Sequence, residues 1–207
     1  MPPSIVQSAA KVLEIPFFYN VWMRMAEMDK VRSFAVENID VEGLVVDLGC
    51  STSKILKHIK PVHYLGVDID YKSIKRAEAE FGATKNRRWI VGDIDNFRLI
   101  VSNISTSPRW FILSGLTHHL NDKQVTNLIL NILTHFPSAS ILCIDGVFTQ
   151  SDSIRTRFLL NNDRGDNVRE IGSLNYLVKA IGVSIESNHI KTSYFGITYE
   201  INFIKKV

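Results

Sequence analysis

The chain lacks the features that mark several classes of protein. Its 207 residues include only two cysteines, Cys50 and Cys143, in apolar contexts without the spacing of a disulfide framework or a zinc site. The 24 basic and 21 acidic residues are spread along the chain and give a net charge of +3, so no basic patch for nucleic acid is expected. No apolar run is long enough to span a bilayer, and the first residues lack the pattern of a signal peptide. These absences predict a cytoplasmic protein with no metal, nucleic acid or membrane among its partners.

Two glycine-rich nucleotide-binding signatures are also missing. The residues after Gly49 are "CSTS", so the GxGxxG pattern of dinucleotide-binding turns is absent. A P-loop is absent because Lys54 is not preceded by the required glycines. Neither motif therefore supports a dinucleotide or a nucleoside triphosphate as the ligand.

What the sequence does contain is an alternation of strand and helix patterns from residue 44 onward. The runs "LVVDLG", "HYLGVD", "RRWIVGD", "RWFILSG" and "SILCIDGVF" are apolar nearly throughout, as expected of parallel strands buried on both faces. Two last candidates, "VSIESNHIK" and "YFGITYEINFIKK", have no helix between them, which predicts an antiparallel hairpin at the sheet edge. The predicted fold is a single α/β domain, residues 1–207, with a Rossmann-like, doubly wound, mostly parallel seven-stranded sheet.

The segments around these strands complete the predicted architecture. Residues 1–40 are expected to form an N-terminal helical cap, and the polar residues 147–170 an insert over the crevice. "NDKQVTNLILNILTHF" has one apolar stripe and a capping box of Asn121 and Gln124. "YKSIKRAEAEFG" is predicted to form a helix with Asp70 as its N-cap, "SKILKHIKP" a short helix, and "SLNYLVKAIG" another helix.

Three acidic residues stand at the ends of three successive predicted strands. Asp47 precedes the turn at Gly49, where the following helix would present free backbone N–H groups to an anion. Asp68, about twenty residues later, stands where a carboxylate accepts hydrogen bonds from ribose hydroxyls, and Asp93 could accept one from an adenine amino group. Because the carboxyl ends of parallel strands share one edge of a sheet, the three acids predict a site for an adenosine-bearing cofactor.

The motifs "VVDLGCSTSKIL", "YLGVDID", "VGDID" and "FILSGLTHHLND" resemble those of class I S-adenosylmethionine-dependent methyltransferases, over nearly the whole chain. "IDGVF", "DRGDNVRE" and "SLNYLVKA" look more narrowly like those of small bacterial methyltransferases that act on small molecules. The resemblance implies S-adenosylmethionine as cofactor and a small-molecule acceptor. It implies the following positions: Asp47, Gly49, Cys50 and Ser51 at the methionine part, Asp68 at the ribose, Asp93 and Ile94 at the adenine, and Ser114 and Gly115 near the sulfonium. Ile69 is a further expected cofactor-binding residue.

Methyl transfer from a sulfonium requires alignment of the acceptor and, for some acceptors, removal of a proton. His118 and His119, just past the fourth strand, are the candidate bases, and a structural role in the loop is the alternative. Asp163, Arg164 and Arg169, in the insert, either recognise the acceptor or pair with one another.

Two departures from the family pattern leave alternatives open. Ser51 and Ser53 occupy positions where the first motif of these methyltransferases typically has glycine. One alternative is therefore a non-catalytic methyltransferase-like partner or binding subunit without cofactor. Another is a dinucleotide-dependent oxidoreductase, which Asp68 would allow and the missing glycines oppose. The sequence predicts neither the acceptor atom nor the oligomeric state.

Overall fold

A computed structural model describes residues 27–37, 39–97, 101, 106–161, 165–194 and 196–206. The prediction of an N-terminal cap over residues 1–40 falls largely outside these residues. Its described part is helix α1, Met28–Val36, which buries Met28, Val31, Ala35 and Val36.

Seven strands form one sheet in the order β3-β2-β1-β4-β5-β7-β6. Their bounds are β1 Leu44–Leu48, β2 His63–Asp68, β3 Arg87–Val91, β4 Pro108–Ser114, β5 Ser140–Val147, β6 Ser184–Thr192 and β7 Thr198–Lys205. The first five strands pair in parallel. β7 pairs antiparallel with both β5 and β6, so the predicted C-terminal hairpin is confirmed, with β6 at the edge.

Helices cover both faces of the sheet, as a doubly wound fold requires. They are α2 Tyr71–Phe81, α3 Asp122–His135, α4 Ile154–Asn161 and α5 Ser173–Ala180. Buried side chains of α1, α2 and α4 belong to one apolar cluster, and those of α3 and α5 to a second cluster. The parallel strands are apolar nearly throughout because both of their faces are buried. In β1, for example, all five residues are buried between the two clusters.

The predicted starts of two helices are confirmed, and in both the sequence contained a recognisable N-cap residue. Asp70 accepts hydrogen bonds from the backbone N–H groups of Lys72 and Ser73 at the start of α2. Asn121 and Gln124 form the predicted capping box of α3, with both reciprocal bonds at 3.0 Å.

The predicted helix at "SKILKHIKP" is wrong as an α-helix. The segment forms only one 3-10 turn, Lys54–Lys57, preceded by Ser53 in the left-handed region. Pro61 disfavours helical backbone before it, so few residues remain to build further turns. In the insert, helix α4 was not predicted, since its sequence has no clear apolar stripe.

Candidate functional site

The carboxyl ends of the parallel strands open into a cavity of about 590 Å³. Twelve predicted site residues line it, and they come from the ends of four strands, β1 to β4. These are Asp47, Gly49, Cys50, Ser51, Asp68, Ile69, Asp93, Ile94, Ser114, Gly115, His118 and His119. The fold therefore brings the predicted cofactor residues and both histidines together, as expected from parallel strands that end at one edge of a sheet.

The turn after β1 is held against the end of β2. The backbone N–H groups of Gly49 and Cys50 donate to the Val67 carbonyl, at 2.8 and 3.1 Å. Gly49 has a φ of +69°, and a Cβ there would lie 2.8 Å from Cδ1 of Leu116. Glycine is therefore required at this position both for the backbone conformation and for the close approach of the neighbouring loop.

Ser51 and Ser53 also adopt left-handed backbone, with φ values of +47° and +52°. This conformation is uncommon for residues other than glycine and costs about 1–2 kcal/mol at such a residue. The family pattern of glycine at these positions thus has a direct conformational reason, and this chain forms the same kind of turn with serine. The two departures do not prevent the turn from forming.

Asp68 fixes the turn through both carboxylate oxygens. Oδ2 accepts from the Ser51 backbone N–H at 2.7 Å, and Oδ1 accepts from that of Asp70 at 2.8 Å. Each carboxylate oxygen has more than one lone pair, so Asp68 retains acceptor capacity on the side of the cavity. Next to it Ile69 is 74% exposed, an apolar side chain in the wall of the cavity.

Asp47 is a buried acid of the site, with 3% of its surface exposed. Its Oδ2 accepts a hydrogen bond of 2.7 Å from the Tyr64 hydroxyl. Burial raises the pKa of Asp47 to about 7, although the Tyr64 hydrogen bond and the charge of Arg32 act in the opposite direction. A cation placed beside this carboxylate would favour its ionised form.

At the other end of the cavity, His118 is paired with Asp145 on β5. The His118 Nδ1 and Asp145 Oδ1 atoms lie 2.6 Å apart, and both side chains are buried. Asp145 Oδ2 accepts from the backbone N–H and the hydroxyl of Thr117, at 3.0 and 2.5 Å. Because an ionised carboxylate can only accept, this arrangement places a hydrogen on Nδ1 and makes Nε2 the basic nitrogen of the neutral ring.

Asp145 was missed by the reading of the sequence, and so was Arg32 on α1. An acid inside the apolar run "SILCIDGVF" was the available signal, because buried carboxylates need partners. Arg32 lines the cavity with its side chain 12% exposed, and its Nε has no hydrogen-bond partner among the described residues. Ser114 Oγ, also in the cavity wall, is likewise buried and without a partner in the described part of the chain.

Arg169 does not line this cavity. Its guanidinium donates to the carbonyls of Thr117 and Leu120, each at 2.7 Å, and to Asp122 Oδ1 at 3.0 Å. These contacts hold the loop that carries the histidines against the start of α3, a structural role that differs from the predicted pairing of Arg169 with Asp163 or Arg164. Asp163 and Arg164 lie outside the described residues.

Within the described ranges, no helix is both long and apolar enough to cross a membrane. In the same residues no group of three or more His, Cys, Asp or Glu side chains could hold a metal ion. Cys50 and Cys143 are both buried free thiols.

No protein-family model matches the chain, and neither does any curated protein. Solved structures do match it. The mitomycin 7-O-methyltransferase MmcR superposes with a TM-score of 0.66 and 16% identity, over 98% of this chain and 60% of that one. The magnesium protoporphyrin IX methyltransferase of Synechocystis PCC 6803, solved with bound SAH, gives 0.60 and 13%, over 100% and 90%. A SAM-dependent methyltransferase from Methanosarcina mazei gives 0.60 and 14%, over 82% and 95%.

These similarities establish the fold. The chain has the Rossmann-like fold of class I methyltransferases, with the predicted sheet and C-terminal hairpin. It spans 60% of the length of MmcR and 55% of that of the pyocyanin biosynthetic protein PhzM.

Proposed function

We propose that this protein is an S-adenosylmethionine-dependent methyltransferase that acts on a small-molecule acceptor in the cytoplasm. The observation that carries the proposal is the convergence of Asp47, Asp68 and Asp93, with the Gly49 turn, on one cavity of a methyltransferase fold. Two buried polar atoms in that wall, Arg32 Nε and Ser114 Oγ, have no partner in the described residues. Buried polar groups are rarely left unsatisfied, so both indicate a polar ligand.

The residues of the cavity suit the parts of this cofactor. Asp68 would accept from the ribose hydroxyls and Asp93 from the adenine amino group, with Ile69 and Ile94 as apolar contacts for the base. The Gly49–Ser51 turn would hold the methionine part, with Asp47 for its amino group and Arg32 for its carboxylate. Ser114 and Gly115 would lie near the sulfonium. The bound cofactor supplies an activated methyl group.

His118 and Asp145 would then serve the acceptor. Asp145 holds the imidazole in one tautomer, so Nε2 can take a proton from an acceptor hydroxyl or amine as it is methylated. Such positioned bases contribute about 10²–10⁴-fold to a rate. The apolar residues Met28, Ile55, Leu160 and Ile197 share the cavity and would contact the rest of the acceptor. We extend the proposal to a single domain in which residues 147–170 cover the site.

Calorimetric titration of the purified protein with S-adenosylmethionine tests the proposal. We expect binding, and we expect Asp68→Ala to raise Kd by about 5–150-fold, equivalent to about 1–3 kcal/mol for lost charge-assisted hydrogen bonds. Asp152→Ala is the matched control, since this acid accepts hydrogen bonds from Thr149 and does not line the cavity. Unchanged affinity in Asp68→Ala would show that the ribose site is misplaced.

The same titration separates the alternative functions. A non-catalytic methyltransferase-like subunit predicts a folded protein that binds no S-adenosylmethionine. A dinucleotide-dependent oxidoreductase predicts binding of NAD instead. Either result would overturn the proposal.

A further inference from the structure

A chain of buried polar side chains runs beneath the Gly49 turn and crosses three strands. Trp89 Nε1 on β3 donates to Ser53 Oγ at 2.8 Å. The Ser53 and Tyr64 hydroxyl oxygens lie 2.9 Å apart, and the Tyr64 hydroxyl is 2.7 Å from Asp47 Oδ2. All four residues are at most 8% exposed, and Ser53 is completely buried.

The direction of these bonds follows from the number of hydrogens. An indole nitrogen only donates and an ionised carboxylate only accepts. Tyr64 has a single hydroxyl hydrogen, which goes to Asp47, so the hydrogen between Tyr64 and Ser53 comes from the Ser53 hydroxyl. The result is a chain from Trp89 through Ser53 and Tyr64 to Asp47, in which every hydroxyl both donates and accepts.

The local geometry around Ser53 is specialised for this chain. Ser53 keeps a left-handed φ of +52° although glycine would adopt it without strain. The Trp89 ring approaches β2 at Gly66, where a Cβ would lie 2.6 Å from Trp89 Cδ1 and 2.9 Å from Nε1. A functional role for the Ser53 hydroxyl explains both features: the strained backbone of Ser53, and the glycine at position 66 that leaves room for the Trp89 ring.

We propose that Ser53 is a positioning residue, which acts through Tyr64 to orient the Asp47 carboxylate toward the amino group of the cofactor's methionine part. This inference rests on the proposed function. The serine that departs from the glycine pattern is then part of the binding site, although its side chain does not line the cavity.

The charged and titratable groups around Asp47 make the inference testable by pH. Burial raises the pKa of Asp47, the hydrogen bond from Tyr64 and the charge of Arg32 on α1 lower it, and the charge of Asp68 on β2 raises it. Burial, followed by the Asp47 charge, raises the pKa of Cys50 in the turn and that of Tyr64. With its pKa at about 7, Asp47 loses its charge as the pH falls below neutrality, and binding of a cationic amino group weakens with it.

If the hydrogen-bond chain is broken, the weakening of cofactor binding at low pH should begin at a higher pH. Tyr64→Phe deletes the hydrogen bond to the carboxylate, and we expect the apparent pKa for binding to rise by about one unit. Kd would then increase roughly eightfold at pH 6.5 and less than about twofold at pH 8.5. Ser53→Gly keeps the backbone conformation but removes the donor to Tyr64, so its shift should have the same direction and a smaller size. The double variant should resemble Tyr64→Phe, because both changes break the same chain.

The experiment is calorimetric titration with S-adenosylhomocysteine, which carries the same amino acid part, at pH 6.5, 7.5 and 8.5. Asn188→Ala is the control for lost stability, since it removes part-buried hydrogen bonds to Glu200 and Asn202 in the C-terminal hairpin and Asn188 does not line the cavity. Affinity losses that recover at pH 8.5 support the inference. Losses equal at all three pH values, or no loss, overturn it while leaving the proposed function standing. A wild-type protein that binds at no pH overturns both.

Discussion

Two buried carboxylates, Asp47 on β1 and Asp145 on β5, line the same cavity, and they are bonded very differently. Asp47 is 3% exposed and, among the described residues, accepts one hydrogen bond, from a neutral phenol. Asp145 is 7% exposed and accepts from Thr117 twice, from His118 once and from the Cys143 thiol. A buried charge is stabilised by hydrogen-bond donors. The protein supplies several donors to Asp145, whereas the Asp47 carboxylate has fewer donors than a buried charge requires.

The contrast separates two tasks of an acid in a site. Asp145 is committed to protein groups and orients a neighbouring imidazole. Asp47 keeps lone pairs for a ligand, and burial raises its pKa because the hydrogen bond from Tyr64 and the charge of Arg32 do not offset the loss of water. If this contrast is correct, the same substitution should have opposite effects on stability at the two positions.

The largest effect is expected at Asp145. Asp145→Ala leaves two donors of Thr117 and one of His118 buried without an acceptor, so the free energy of unfolding should fall by about 3–5 kcal/mol. Urea unfolding followed by circular dichroism measures it. Asp145→Asn, which keeps one acceptor oxygen, should lose about 1–3 kcal/mol. A loss below about 1 kcal/mol for the alanine variant would break the contrast between the two acids.

At Asp47 the corresponding asparagine variant should be stabilising at neutral and alkaline pH. The folded-state pKa of about 7 lies above the ordinary 3.8, so between these values the folded protein binds more protons than the unfolded chain. Wild-type stability therefore falls as the pH rises from about 4 to 7. Asp47→Asn removes the group that causes this decrease. We therefore expect its free energy of unfolding at pH 8 to exceed that of the wild type by about 1–3 kcal/mol and to vary less with pH. Urea unfolding at pH 5 and 8 checks this, and an Asp47→Asn variant less stable than wild type at pH 8 would contradict it.

The sheet and one side of the site could be predicted from the sequence because their signals are local. Each buried strand is an uninterrupted apolar run, and Asp47, Asp68 and Asp93 immediately follow or end such runs. Once the strands are parallel, convergence of the three acids on one edge follows from topology alone. Glycine at position 49 was equally readable, since a tight turn after a strand requires it.

The remainder of the site depends on pairs that lie far apart in sequence. Asp145 meets a histidine 27 residues away, and Ser53 meets Trp89 across 36 residues. No short motif records such contacts, and Ser53 looked in isolation like a defect in a glycine turn. Arg32 lies on a helix that the sequence predicted as part of the N-terminal cap, without singling out this residue. Long-range polar pairing is set by the three-dimensional register of the strands, which apolar patterns do not encode.

The loop behind the His118 and Asp145 pair offers a third, smaller test. Arg169→Lys keeps the charge but loses the fork that reaches two carbonyls and Asp122 at once, so we expect a loss of about 1–2 kcal/mol in urea unfolding. Arg157→Lys is the matched control, because this arginine is 45% exposed and its ion pair with Glu170 lies at the surface. Equal effects of the two substitutions would show that Arg169 does not fasten the loop.

The smallest effect on the free energy of unfolding is expected in the turn that follows Asp47. Ser51 and Ser53 have almost the same left-handed φ, but only Ser53 has its hydroxyl in the buried chain to Asp47. Ser51 contributes its backbone N–H to Asp68, and glycine retains that group. Ser51→Gly should therefore relieve strain and raise the free energy of unfolding by about 0.5 kcal/mol. Ser53→Gly relieves the same strain yet leaves the Trp89 N–H buried without its acceptor, so it should lower stability by about 1 kcal/mol. Urea unfolding of the two variants side by side measures the difference, and a gain in stability for both would mean that the hydroxyl chain beneath Asp47 contributes nothing to the folded state.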